Sequence, residues 1–223
     1  MTGRLATLRL LQFASPALPI GAYSYSSGLE TAIERGLVAD DASAQRWIED
    51  QLELVLARFD APIAAAAHAA AQSGDTAALA DLDRLAAASR ETVELRLESE
   101  QMGRSLMRWA AQVLGDTTPA GGPERLALPV AWGFAGARLG LTPDDTVTAQ
   151  LWGFAENQVM VLLKAMPIGQ IRGQRLLQAL LPSMERAVAT ALALPREHWS
   201  SAAPGLAIAS MRHETQYSRL FRS

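Results

Sequence analysis

The sequence predicts an all-α fold, a single domain of about eight to ten helices, and three observations carry that prediction. Apolar residues recur at helical spacing almost throughout; no set of alternating β-branched runs bounded by turn pairs appears; and the punctuation is that of helix ends. With 223 residues, the chain is long enough for a sizeable core.

Taken in order, Met1 to Phe13 is apolar but interrupted by Arg9 and Gln12, with no small-residue cleavage site after it. It does not read as a targeting leader. Ser27 followed by Glu30 reads as a capping box opening a helix. Ile48, Leu52, Val55, Leu56 and Phe59 form one buried stripe. Pro62 should break or kink its helix. The alanine-rich stretch Ala61 to Ala71 is too short to cross a bilayer. Ser73-Gly74-Asp75 is a helix-to-helix connection, and Gly115 to Pro123 is the longest loop. Leu95, Met102, Leu106, Trp109 and Val113 make a second stripe. Thr142-Pro143-Asp144-Asp145 supplies an N-cap hydroxyl, a proline at the first helical position and two first-turn acids. The helix it opens, Asp144 to Leu163, is apolar on several faces and suits a central position. Leu177, Leu180, Leu181, Met184, Val188 and Ala191 form the last stripe, crossed by Pro182.

Composition narrows function by exclusion. Twenty basic against 23 acidic residues give a net charge near −3, which argues against a nucleic-acid surface. Cysteine is absent, which removes disulfides, thiolate metal sites and cysteine nucleophiles. His68, His198 and His213 are scattered, and Lys164 is the sole lysine. No phosphate loop G-x-x-x-x-G-K-[ST] occurs, and Ser24-Tyr25-Ser26-Ser27-Gly28 lacks the first glycine of a nucleophile elbow. No cofactor is expected, no membrane span, and the default location is cytoplasmic.

Three segments are unlike ordinary core. Ser15 to Glu30 (SPALPIGAYSYSSGLE) enters through two prolines and carries Tyr23 and Tyr25, either a plug or a partner surface. Met166 to Leu177 (MPIGQIRGQRLL) places Gly169 and Gly173 four apart beside Gln170 and Gln174, which suits close helix packing within the domain or between subunits. Ser210 to Ser223 (SMRHETQYSRLFRS) ends the sequence with Met211, Tyr217, Leu220 and Phe221 among arginines, as interface anchors do. On a helix, Tyr217 and Phe221 would share one face. The rival reading folds this end back onto its own domain.

Together with Glu98-Ser99-Glu100-Gln101-Met102-Gly103-Arg104-Ser105-Leu106, these segments resemble the UreF family of urease accessory proteins over essentially the whole chain. Ala22 stands where that family more often has a second glycine, and Tyr23 where it has phenylalanine. The resemblance implies an all-α protein that is not an enzyme. It implies a homodimer that joins UreD (also called UreH) and the GTPase UreG to load nickel into the urease apoprotein. It further implies that residues 210–223 are a docking segment for UreD/UreH, appended to a helical domain of residues 1–209 whose first 25 residues form an entry segment and loop. The partner-binding residues it implies are Met211, Arg212, His213, Glu214, Tyr217, Arg219 and Phe221, with Gln170, Arg172 and Gln174 as a second set. Two other classes compete: a nickel carrier using His213 with Glu214 or His198, and a small helical enzyme using Tyr23, Glu30 or Glu156 as acid or base.

Overall fold

The computed structural model describes residues 3–115 and 126–223, and among them every regular element is helical. In chain order these are α1 (Arg4–Phe13), α2 (Leu29–Glu34), α3 (Asp41–Gln51), α4 (Ala61–Ser73), α5 (Thr76–Ala88) and α6 (Val93–Val113). After them come α7 (Leu128–Arg138), α8 (Pro143–Ala165), α9 (Gln170–Ala193) and α10 (Pro204–His213). The expected connection from Gly115 to Pro123 lies, beyond Gly115, outside the described residues.

Two apolar clusters organise the packing. One gathers Phe13, Ile63, Leu79, Leu106, Trp109 and Trp132, with the Phe13 ring 4.4 Å from Trp132 and 6.2 Å from Trp109. The other gathers Leu29, Ile48, Leu52, Leu151, Leu162 and Leu180. Helix α8 serves both, giving Ala149 to the first and Val147, Leu151 and Leu162 to the second, which is why it reads as apolar on several faces. The predicted stripes are buried except at their margins: Val113 and Leu181 face solvent.

Glycine decides where backbones touch. A Cβ at Gly133 would collide with the Ala64 carbonyl, so glycine is what lets α7 and α4 meet at backbone distance there. Gly103 of α6 meets the backbone of Leu126 and Ala127 in the same way. Gly173 packs its Cα against Val159 and Leu163 of α8, so its close approach lies inside the domain.

Helix ends follow the sequence in part. Thr142 caps α8, accepting from the Asp145 N–H at 3.0 Å, and Gly74 (φ 72°) closes α4 before Asp75 caps α5. The capping box at Ser27 and Glu30 is not formed. Ser27 sits at φ 50° and turns its hydroxyl to Glu98, Gly28 is the N-cap of α2, and the Ser26 hydroxyl accepts from the Glu30 N–H instead. Pro62 does not break the chain's course. It stands at the start of α4, after a π-helical segment, Leu52–Asp60, that joins α3 to α4 in one helical run. Proline has no N–H for the Arg58 carbonyl, and the Ser200 N–H donates to that oxygen at 3.1 Å. Helix α9 likewise runs through Pro182. Among the described residues, the run Asp41–Ser73 alone is long and apolar enough to cross a membrane by length and composition, and 72% of its apolar window is buried inside the fold.

Candidate functional site

Three of the four singled-out stretches converge at one place. Helix α10 ends at His213, and residues 214–223 turn back without helix to lie between α2, α6 and α8. Two acids hold this return, Glu30 buried and Glu94 partly buried. Glu30 of α2 accepts from the Leu220 N–H at 2.6 Å and the Phe221 N–H at 3.0 Å, and its Oε2 lies 3.2 Å from His213 Nε2. Glu94 of α6 lies 2.6 Å from His213 Nδ1 and accepts from Arg219 Nη1 at 2.6 Å. The fully buried imidazole therefore bridges two helices through two carboxylates.

The last residues are sealed against the entry loop. The Ser26 N–H donates to the Ser223 carbonyl at 3.0 Å, the Ser26 hydroxyl donates to the same oxygen, and the Arg222 N–H donates to the Ser24 carbonyl at 2.8 Å. The Ser223 and Ser27 hydroxyls both donate to Glu98. Burial pushes the Glu98 carboxyl above its ordinary range, against the pull of those two hydroxyls. Phe221 is buried in the second apolar cluster, with the Lys164 ammonium 4.2 Å from its ring centroid. Lys164 also donates to the Leu220 carbonyl at 3.0 Å. Beneath the loop, Tyr25 is buried and donates to Gln101 at 2.6 Å. Burial raises its phenol pKa, while a hydrogen bond with Arg222 opposes the rise. Asn157 and Gln158 of α8 donate to the Tyr25 and Ser26 carbonyls. Tyr25 is thus the plug, whereas Tyr23 is largely exposed.

The implied docking residues divide into two sides. His213 and Phe221 face inward, and Arg219 is anchored on Glu94. Glu214 accepts from the Val93 N–H at 3.0 Å, where its negative charge meets the N-terminus of α6. Met211, Arg212, Tyr217 and Leu220 are exposed, and Tyr217 completely so at 104% of its reference area. Tyr217 and Phe221 do not share a helical face, because the helix stops at His213 and Glu30 captures the amides that a further turn would use. Gln170, Arg172 and Gln174 are exposed at the start of α9, where Arg172 is paired with Asp41 at 2.6 Å. Sequence reading missed Glu94 and Lys164 as parts of this site, gave Ser26 no role of its own, and treated Glu30 as a capping-box residue or a possible catalytic acid. The one available signal was the solitary lysine.

No group of three or more His, Asp or Glu among the described residues is arranged to hold a metal ion. His198 lies in a short 3₁₀ turn after α9, and no hydrogen bond or ion pair links it to His213. Of the candidate acids for an enzyme, Glu30 is engaged by the returning segment. Glu156 lines a cavity together with Tyr23.

Comparison with known proteins identifies the family. The family model for UreF matches residues 38–181. A urease accessory protein UreF of Azotobacter vinelandii is 51% identical over 231 residues, covering 100% of both chains. One from Azoarcus sp. (strain BH72) is 51% identical, covering 99% of this chain and 97% of the relative. One from Ectopseudomonas mendocina is 52% identical, covering 96% and 97%. A match of this extent, at this identity, places the chain in the UreF family of urease accessory proteins.

Proposed function

We propose that this protein is a non-enzymatic scaffold of urease maturation, which docks UreD/UreH through the outer side of residues 210–223 and thereby recruits the GTPase UreG for nickel insertion into the urease apoprotein. It works in the cytoplasm and as a homodimer. One observation carries the reading: the segment is fastened from within by Glu30, Glu94 and Glu98, so that Met211, Arg212 and Tyr217 are held out to solvent on a fixed backbone. A fully exposed tyrosine in the same segment as an exposed arginine and methionine, pre-ordered rather than frayed, is what a partner's pocket receives at low entropic cost. His213 and Phe221 then position the face instead of touching the partner. Gln170, Arg172 and Gln174, on the exposed start of α9, remain candidates for a second contact.

The test is co-purification with UreD/UreH, followed by urease activation. Tyr217→Ala should weaken capture by about 2 kcal/mol, roughly thirtyfold in affinity, with an unchanged melt. Ser218→Ala should capture as the parent does. Undiminished capture by Tyr217→Ala defeats the assignment.

A further inference from the structure

A cavity of about 290 Å³, partly open to the surface, lies between the π-helical segment, α6, α7 and α8. Its walls are mostly apolar, Trp132, Val55, Leu95 and Met102 among them, yet four buried polar atoms at residues lining it have no hydrogen-bond partner. They are Gln51 Nε2, Arg90 Nε, Gln150 Oε1 and Glu156 Oε2. Buried polar atoms are almost always satisfied, so four around one space is a request for an occupant. Exposed Tyr23 and Met160 line the same space and give it a way in from the surface.

Charge narrows what that occupant is. Asp60 is neutralised by Arg90 at 2.7 Å, and Glu98 is held by two serine hydroxyls. Glu156 has no ion pair among the described residues, although arginine is abundant in the sequence. Water alone fits poorly. The space would hold on the order of ten molecules, most of them against hydrocarbon.

Gly153 is the independent sign. The other glycines inside α6, α7 and α9 are each pressed by a neighbour, but a Cβ at Gly153 of α8 would meet only Trp132 Cη2, at 3.8 Å. Helix interiors disfavour glycine by about 1 kcal/mol relative to alanine, and here no close packing compensates. What the missing side chain leaves free is cavity.

We propose that this cavity is a binding site for a small organic cation with an apolar body, its charge met by the two acceptors, Glu156 Oε2 and the Gln150 side-chain oxygen, its body lying on Trp132, and the two donors, Gln51 Nε2 and Arg90 Nε, left to accompanying water. The site is independent of the docking face, and failure of either leaves the other standing. Burial raises the Glu156 carboxyl above its usual range, opposed by a hydrogen bond with Trp152, so binding tightens as pH rises through that titration.

Titration calorimetry of the full chain with benzamidine, and with its uncharged analogue benzamide, tests the site. Benzamidine should saturate one site per chain, with benzamide about tenfold weaker or worse. Glu156→Gln should bring the two probes together. Gly153→Leu should abolish binding while the thermal melt stays level or rises. Absence of saturable benzamidine binding overturns the proposal, as does equal affinity for both probes in the parent protein. Binding that survives Gly153→Leu in a folded variant places the probe elsewhere and also overturns it.

Discussion

Replacing Phe221 with alanine isolates the hold of the returning segment on the domain. The ring is 6% exposed and packs into the second apolar cluster. Truncating an enclosed phenylalanine costs about 3–5 kcal/mol, and a segment so near the C-terminus relaxes more easily than a helix interior, which favours the lower end. The Lys164–ring contact accounts for about 0.5–1 kcal/mol of that loss. A loss near 3 kcal/mol corresponds to about a hundredfold in the opening equilibrium of the segment. The assay is hydrogen exchange at the amides that fasten it: Leu220 and Phe221 on Glu30, Arg222 on Ser24, and Ser26 on Ser223. All four should exchange about a hundredfold faster, while amides of α8 change little. Tyr217→Ala, which removes a side chain that touches only water, should leave all four unchanged. Protection altered by less than about threefold in Phe221→Ala would refute the reasoning, because the segment would then be held without its ring.

Three further outcomes rest on the packing and charges. Gly133→Ala should cost more than about 3 kcal/mol or prevent folding, since the new Cβ meets backbone, whereas Gly153→Ala should stabilise by up to about 1 kcal/mol; chemical denaturation of the pair measures both. Glu98 has a raised pKa, so the stability it contributes is fully present below the ordinary glutamate value of 4.5 and is lost as pH rises through its own higher value. Stability curves from pH 4.5 upward should therefore fall less steeply in Glu98→Gln than in the parent, and parallel curves would contradict this. Asp60→Asn should cost about 3–5 kcal/mol, because it strands the buried Arg90, while Arg172→Ala, from an exposed pair, should cost less than about 1 kcal/mol; equal costs in urea melts would count against the distinction.

Legibility in the sequence ended where contacts became long-range. The stripes around Ile48, Leu106 and Leu180 announce buried helix faces, because helical periodicity is a local property. Thr142 is legible for the same reason, its hydroxyl meeting an amide three residues away. Ser27 obeys the same local rule and fails it, because Glu98, 71 residues on, offers its hydroxyl a buried acceptor. Spacing also put Tyr217 and Phe221 on one face. Glu30, about 190 residues upstream, takes the amides and ends that periodicity. The π-helical segment has no mark in composition, and only Pro62 hinted that the run from α3 to α4 would be irregular.

The seal between Ser26 and Ser223 spans 197 residues of sequence, and that separation sets an order of events. Synthesis at about 5–20 residues per second leaves the entry loop waiting roughly 10–40 s before its closing strap exists. Until then Glu30, and Glu98 once it is made, lack the partners that the closing segment brings, while the helices between them are already free to pair. Closing so long a loop is entropically slow but adds little to its cost beyond what a loop of half the length would carry. The entry loop is therefore made long before it is finished, and the proposed docking face comes into being only at that moment.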